Sequence, residues 1–242
     1  WLGNGQTTTT TGVRFAETEI AALYGTETLL VDVSRGAPGV VEGLRTAARV
    51  LGADLLVGID VGGDSLARGD EPGLRSPVAD AIMLAAFHAL AAELPCLWGV
   101  IGYGSDAELT PPEIDRALAA VARHGGLLGA WGLTPAVAAE LQRVVQHART
   151  EASAVLLEAF AGALGERRIR DGTRRLELSP VCTVTFYVDP RVLYAQVGAI
   201  ARAVANAPSL AEASAIVVSR GWPSEYAFEV EMAARGGRSY AD

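Results

Sequence analysis

The sequence predicts an α/β fold: a doubly wound, mostly parallel Rossmann-like sheet with helices on both faces and a C-terminal β/α extension. Three observations carry this expectation. The segments 55–59 and 97–101 are apolar at every position, whereas a sheet solvated on one face would alternate apolar and polar residues with period two. Such segments alternate with stretches of helical periodicity, the order that builds parallel crossover units. No Pro/Ser-rich linker interrupts the 242 residues, of which 50% are hydrophobic and 20% charged, so one core and one domain are expected over 1–242. Residues 1–14 read as a flexible N-terminal segment, and 165–242 as an extension of the same domain.

Residues 16–24 form a short amphipathic helix with Ile20 and Leu23 inward, and 28–33 a strand ending in Asp32-Val33-Ser34-Arg35-Gly36. The unit then repeats. Val40, Leu44, Ala47, Ala48 and Leu51 give 40–51 a helical stripe, and strand 55–59 leads into Asp60-Val61-Gly62-Gly63-Asp64. The connection 62–75 is long for a βα loop and rich in Gly, Pro and charge, which marks it as a functional wall or lid. Ser76-Pro77 starts a helix over 77–94 that is apolar on every side and therefore buried. Strand 97–101, helix 112–124, strand 127–131 and a largely helical stretch 135–164 follow. In the tail, 174–178 and 181–188 read as a β pair continuing the sheet or forming its antiparallel edge, followed by helices at 191–205 and 209–216.

The formal charge of −8 and a pI near 5.0 argue against nucleic acid or an anionic membrane surface as the main partner and favour a small molecule. All 20 basic residues are arginine, so these residues offer neither a Walker lysine nor a Schiff-base lysine. Arginine in place of lysine, with abundant alanine, matches the coding bias of a high-GC bacterial genome. Cys96 and Cys182 lie far apart in apolar surroundings and build neither a redox pair nor a zinc cluster. The chain shows neither an apolar run long enough to span a bilayer nor a basic-then-apolar signal segment, which gives a cytoplasmic expectation. Because it opens on Trp1 and a Gly/Thr tract ending at Gly12, its natural beginning is expected to lie further upstream.

In an open parallel sheet the strand C-termini share one edge, so the loops after residues 33, 59 and 101 should converge on one crevice. Each carries carboxylates: Asp32; Asp60 and Asp64; Asp106 and Glu108. Single aspartates at strand ends commonly form turns or cap helices, but three on one edge point to a ligand. Gly62 and Gly63 would let backbone amides approach it closely. Asp80, in the first turns of helix 77–94, gains from the helix dipole but needs a partner if buried, either the loop backbone or a ligand. Arg167, Arg168, Arg170, Arg174 and Arg175 could hold an anionic group or line a solvated hairpin. Gly63-Asp64-Ser65-Leu66 matches a lipase motif, yet no histidine stands at a recognisable spacing from Ser65. His88, eight positions after Asp80 and on the same helix face, reads as a core or surface histidine sooner than a ligand, and His124 and His147 are given no role.

Asp60-Val61-Gly62-Gly63-Asp64, Gly69-Asp70-Glu71, Ser76-Pro77-Val78-Ala79-Asp80, Gly102-Tyr103-Gly104-Ser105-Asp106 with Glu108-Leu109, Thr150-Glu151-Ala152-Ser153 and Ile169-Arg170-Asp171-Gly172 are the distinctive segments. Together, over residues 15–189, they resemble the uncharacterised family called domain of unknown function 1152. The resemblance implies an α/β sheet with acidic loops as the shared feature, and no particular reaction. It also implies an opening glycine-rich strand and loop ending in an aspartate, which nothing before Phe15 matches. The expected site therefore has Asp60, Asp64 and Asp106 as catalytic and metal-holding residues. Gly62, Gly63, Asp32, Glu71, Asp80, Tyr103, Ser105, Glu108, Glu151 and Arg170 are expected to bind substrate. Oxygen ligands favour Mg or Mn. The expected function is an enzyme of small-molecule metabolism that hydrolyses or transfers a group on a polar or anionic metabolite. The alternatives are a nucleotide- or metabolite-binding regulatory protein using the same pocket without turnover, or an inactive scaffold subunit. Homo-oligomerisation is left open.

Overall fold

A computed structural model describes residues 1–9, 12–148 and 150–236. The chain begins with β1 (Leu2–Gly3), α1 (Ala16–Tyr24) and β2 (Thr28–Leu29), then α2 (Gly36–Leu51), which ends at Gly52 in the left-handed conformation. β3 (Leu56–Val61), α3 (Pro77–Leu90), β4 (Cys96–Ile101), α4 (Pro111–Arg123) and β5 (Leu127–Gly132) follow in alternation. Thr110 and Glu113 form a capping box at the start of α4, which fixes where that helix leaves the loop after β4. Next come α5 (Pro135–Val145), α6 (Glu151–Phe160), and a hairpin of β6 (Gly165–Ile169) and β7 (Arg174–Leu178). β8 (Val184–Val188), α7 (Pro190–Gln196), α8 (Ala199–Val204), α9 (Leu210–Ser219) and α10 (Glu225–Ala234) complete the described chain.

The main sheet is mixed, with strand order β3-β4-β8-β5. β3 and β4 pair in parallel, while β8 lies antiparallel between β4 and β5. The three strands of the βαβαβ run thus share one direction, but two of the three pairings are antiparallel. The mostly parallel expectation is corrected to that extent. The tail pairs differently from expectation as well. β7 joins β6 in a separate hairpin, and β8 enters the centre of the sheet instead of its edge.

The composition of β8 explains its setting. Phe186 and Val188 face the helices while Thr185 and Tyr187 alternate onto the other face, the period-two pattern of a sheet packed on one side. On that other face Val57, Ile59 and Trp131 are 46%, 51% and 68% exposed, so helices do not cover both faces as expected. The core lies on the first face, where α3 packs against α2, α7, α8 and α9. Phe87 of α3 meets Trp98 of β4 edge to face at 5.1 Å. Ile82, Leu84 and Leu90 are fully buried, each contributing about 1.5–3 kcal/mol of apolar transfer. This is why α3 needs no polar face.

At the N-terminus, β1 pairs with β2 in a two-stranded sheet of its own, so the opening segment is anchored from Leu2. Thr10 and Thr11 lie outside the described residues. The expected strand 28–33 shrinks to two residues because its partner is β1, not β3. Residues 237–242 of the expected extension also lie outside the described residues. A second, smaller core joins Val155 and Ala159 of α6 to Ile169, Leu176 and Leu178 of the hairpin and to Cys182. Both cysteines are free, and burial pushes the Cys96 thiol up from its ordinary pKa. Among the described residues no helix is long and apolar enough to cross a membrane.

Candidate functional site

Alternation along β3 turns Asp60 towards the helices, leaving it 4% exposed. A carboxylate buried at a strand end must find donors. The following loop wraps around it: Gly63 N donates to one oxygen at 3.1 Å, and Ser65 donates to the other through its amide, at 3.1 Å, and its hydroxyl. Trp98 Nε1 donates in turn to Ser65 Oγ at 3.0 Å. Gly62 and Gly63 have φ of +129° and +116°, a region that favours glycine. A Cβ on Gly62 would collide with the Asp106 carboxylate.

The loop after β4 is stitched to this one by Gly62 N to Ile101 O at 2.8 Å and Gly104 N to Gly62 O at 2.7 Å. It delivers Asp106 and Glu108. Glu108, 2% exposed, accepts from Arg75 N at 2.7 Å, Ser76 N at 2.9 Å, the Ser76 hydroxyl and Arg174 Nη1 at 3.0 Å. One carboxylate thereby ties together the β4 loop, the start of α3 and the β6–β7 hairpin. Asp106 accepts from Glu108 N at 3.0 Å. Asp80 sits in the first turns of α3, and Glu225 of α10 caps the same helix by accepting from Val78 N at 3.1 Å and Ala79 N at 2.8 Å.

Carboxylate oxygens of Asp60, Asp64 and Asp80 lie within 4.8 Å of one another, as do those of Asp64, Asp106 and Glu108. Asp64 belongs to both groups. Asp60 and Glu108 are largely saturated by donors, whereas no described residue donates a hydrogen bond to the side chain of Asp64 or Asp80. Burial first, and then Asp80, push Asp64 well above the usual carboxylate range; burial and then Asp60 do the same to Asp80. Asp60 is raised by burial against the pull of its Ser65 and Gly63 hydrogen bonds. Burial carries Asp106 up to about 7, opposed by the Glu108 amide and helped by the Glu108 charge.

These shifts set the sign of a pH dependence. Aspartates whose folded pKa is raised hold more protons folded than unfolded, so their stabilisation is complete below about pH 4 and is lost as pH rises through the folded pKa. His88, whose pKa burial lowers from 6.5, contributes in the opposite direction, but only below that value. The melting temperature of chelator-treated protein is therefore expected to fall between pH 6.5 and 8, the window in which Asp106 ionises. A flat or rising melting curve across that window would contradict the raised carboxylates.

The other expected site residues are dispersed. Asp32 does not reach the cluster; it accepts from Ser34 N at 2.8 Å as a turn former. It lines a cleft of about 460 Å³ between the β1–β2 strands and α2. Its predicted convergence failed because its strand is not part of the main sheet. Glu71 closes the 62–75 loop on itself, accepting from Arg68 N and Gly69 N at 2.9 Å each. The Tyr103 hydroxyl donates to Asp115. Ser105 Oγ is fully buried and has no hydrogen-bond partner among the described residues. Glu151 and Arg170 meet on the exposed hairpin, where Arg170 N donates to Glu151 at 3.1 Å. In the arginine run, Arg167 pairs with Glu158, Arg168 and Arg175 with Glu166, Arg170 with Glu151 and Arg174 with Glu108.

Sequence reasoning missed Ser76, Trp98 and Glu225 as supports of the site, and had named Arg174 only within the arginine run. For Trp98 a signal existed, because a buried indole N–H needs an acceptor. A family model described as "Protein of unknown function (DUF1152)" matches residues 3–233. The chain belongs to this family. The match carries the DUF1152 likeness past residues 15–189 in both directions, so that α10 and its capping Glu225 fall inside it. No curated protein and no solved structure matches this DUF1152 chain.

Proposed function

We propose that the acidic cluster binds a hard divalent cation, Mg or Mn, and that the chain is an enzyme hydrolysing or transferring a group on a polar or anionic metabolite. One observation carries this reading: Asp64, buried, and Asp80, partly buried, crowd against Asp60 with carboxylates to which no described residue donates a hydrogen bond. Uncompensated buried charge of one sign costs several kcal/mol per group, and a cation supplies what hydrogen-bond donors do not. All the candidate ligand atoms are oxygens, the donor type that Mg and Mn prefer. A bound cation of this kind polarises a substrate oxygen or activates water. Asp80 and Asp106 are only partly buried, which leaves the cluster an approach from solvent. Asp60 and Glu108 hold the two loops and the start of α3 in register beneath it.

The β3–α3–β4–α4–β5 run supports a Rossmann-like reading of this half of the fold, with the cluster at strand C-termini, where open α/β sheets bind their ligands. A cytoplasmic, small-molecule role accords with the net charge of −8. The test is thermal melting with and without cation. Mg or Mn at 100 times its dissociation constant should stabilise the native state by about 2.7 kcal/mol, with the gain growing with cation concentration. Unchanged melting with either cation, together with indifference to chelation, would return these aspartates to the role of acceptors for a ligand's hydroxyl or amino groups.

A further inference from the structure

We infer that the site is built for two divalent cations held on either side of Asp64, an extension that rests on the cation-binding reading above. Asp64 is shared between two groups of carboxylate oxygens, one with Asp60 and Asp80 and one with Asp106 and Glu108. No described residue donates a hydrogen bond to its carboxylate, and it is the residue common to both groups. Bridged pairs of this kind stand about 3.5–4 Å apart.

Charge gives the same answer. Asp60, Asp64, Asp80, Asp106 and Glu108 face one another, and Arg174 is the guanidinium bonded among them, at 3.0 Å from Glu108. Glu225 is answered separately by the α3 amides. Among the described residues five carboxyl groups share one guanidinium, an acidic excess that a second cation offsets further than one does.

An independent observation lies outside the acidic set. Ser105 Oγ is fully buried without a partner among the described residues, next in sequence to Asp106. A Cβ on Gly102 would collide with Ser105 Oγ, and one on Gly62 with the Asp106 carboxylate. Gly104 N donates to Gly62 O at 2.7 Å, so the loop that carries Ser105 and Asp106 is bonded directly to the loop that carries Asp64. Buried hydroxyls are normally satisfied, and an orphan beside a carboxylate calls for a ligand. The second cation therefore takes Asp64, Asp106 and the Ser105 hydroxyl. Glu108, already holding its four donors, supports that group from behind.

The experiment is Mn(II) titration of the cation-stripped full chain, read by equilibrium dialysis and electron paramagnetic resonance. Two Mn per chain with a spin-coupled spectrum is the expected result. Asp64→Asn should lose both, and Ser105→Ala, a nearly isosteric change, should lose one and restore the six-line signal of an isolated ion. One Mn per unaltered chain with that six-line signal overturns the pair and leaves the single-cation reading standing. Two Mn retained by Asp64→Asn overturns the placement, and no Mn binding at all overturns both readings.

Discussion

Replacing Glu108 with Ala should destabilise the protein by about 3–5 kcal/mol, the expected consequence of removing one partner from a buried ion pair. The variant removes the carboxylate opposite Arg174, which keeps its bond to Asp106 O at 3.2 Å, and leaves the amides of Arg75 and Ser76 and the Ser76 hydroxyl without this acceptor. For a chain of this length the loss corresponds to roughly 6–20 °C in melting temperature. Glu108→Gln keeps an acceptor oxygen but loses the charge opposite Arg174, so it should fall between the two. Urea denaturation followed by circular dichroism decides it. A loss below about 1 kcal/mol would mean that the three segments joined at Glu108 hold together without it.

Asp64→Asn should act with the opposite sign. The wild-type carboxylate is buried, receives no donor and is opposed by Asp80, Asp60 and Asp106, so neutralising it removes repulsion and sacrifices no hydrogen bond. In the presence of chelator the variant is expected to melt at a higher temperature than the wild type, because the burial and like charges that raise the Asp64 carboxyl no longer oppose folding. With Mg or Mn added, the wild type should gain stability and the variant should not. The crossing of the two melting curves separates a ligand-holding carboxylate from a loop-holding one such as Glu108. A chelated variant less stable than the wild type would place Asp64 with the structural set.

Helices that open on a local signal were legible, whereas α10 was not predicted and the stretches 135–164 and 191–205 each divide into two helices. Ser76-Pro77 opens α3 and Thr110 with Glu113 opens α4, and in both cases the predicted and observed starts agree within a residue. The gathering of Asp60, Asp64, Asp106 and Glu108 was legible too, since β3 and β4 are parallel neighbours whose loops leave the sheet together. Asp32 misled because 28–33 has the composition of a core strand, and composition does not reveal which strand will be its partner. Glu225 and Arg174 reach the site from 147 and 66 positions away, distances over which a single sequence shows no pattern. The distinction between Asp60, saturated by Gly63 and Ser65, and Asp64, left without donors, exists only in the folded loop.

The central position of β8 bears on how the chain acquires its structure. β4 and β5 are separated in the sheet by a strand that begins at Val184, so during synthesis both are made long before the segment that joins them. Until Val188 has left the ribosome, β5 has no neighbour in the main sheet and β4 has one bare edge. Pairings between segments this distant are slow to form, and unpaired strand edges invite association with other chains. The burden of reaching the native state thus falls on residues 184–219, which also supply α7, α8 and α9 against α3. The acidic loops at the ends of β3 and β4 are set in place only when β8 closes the sheet.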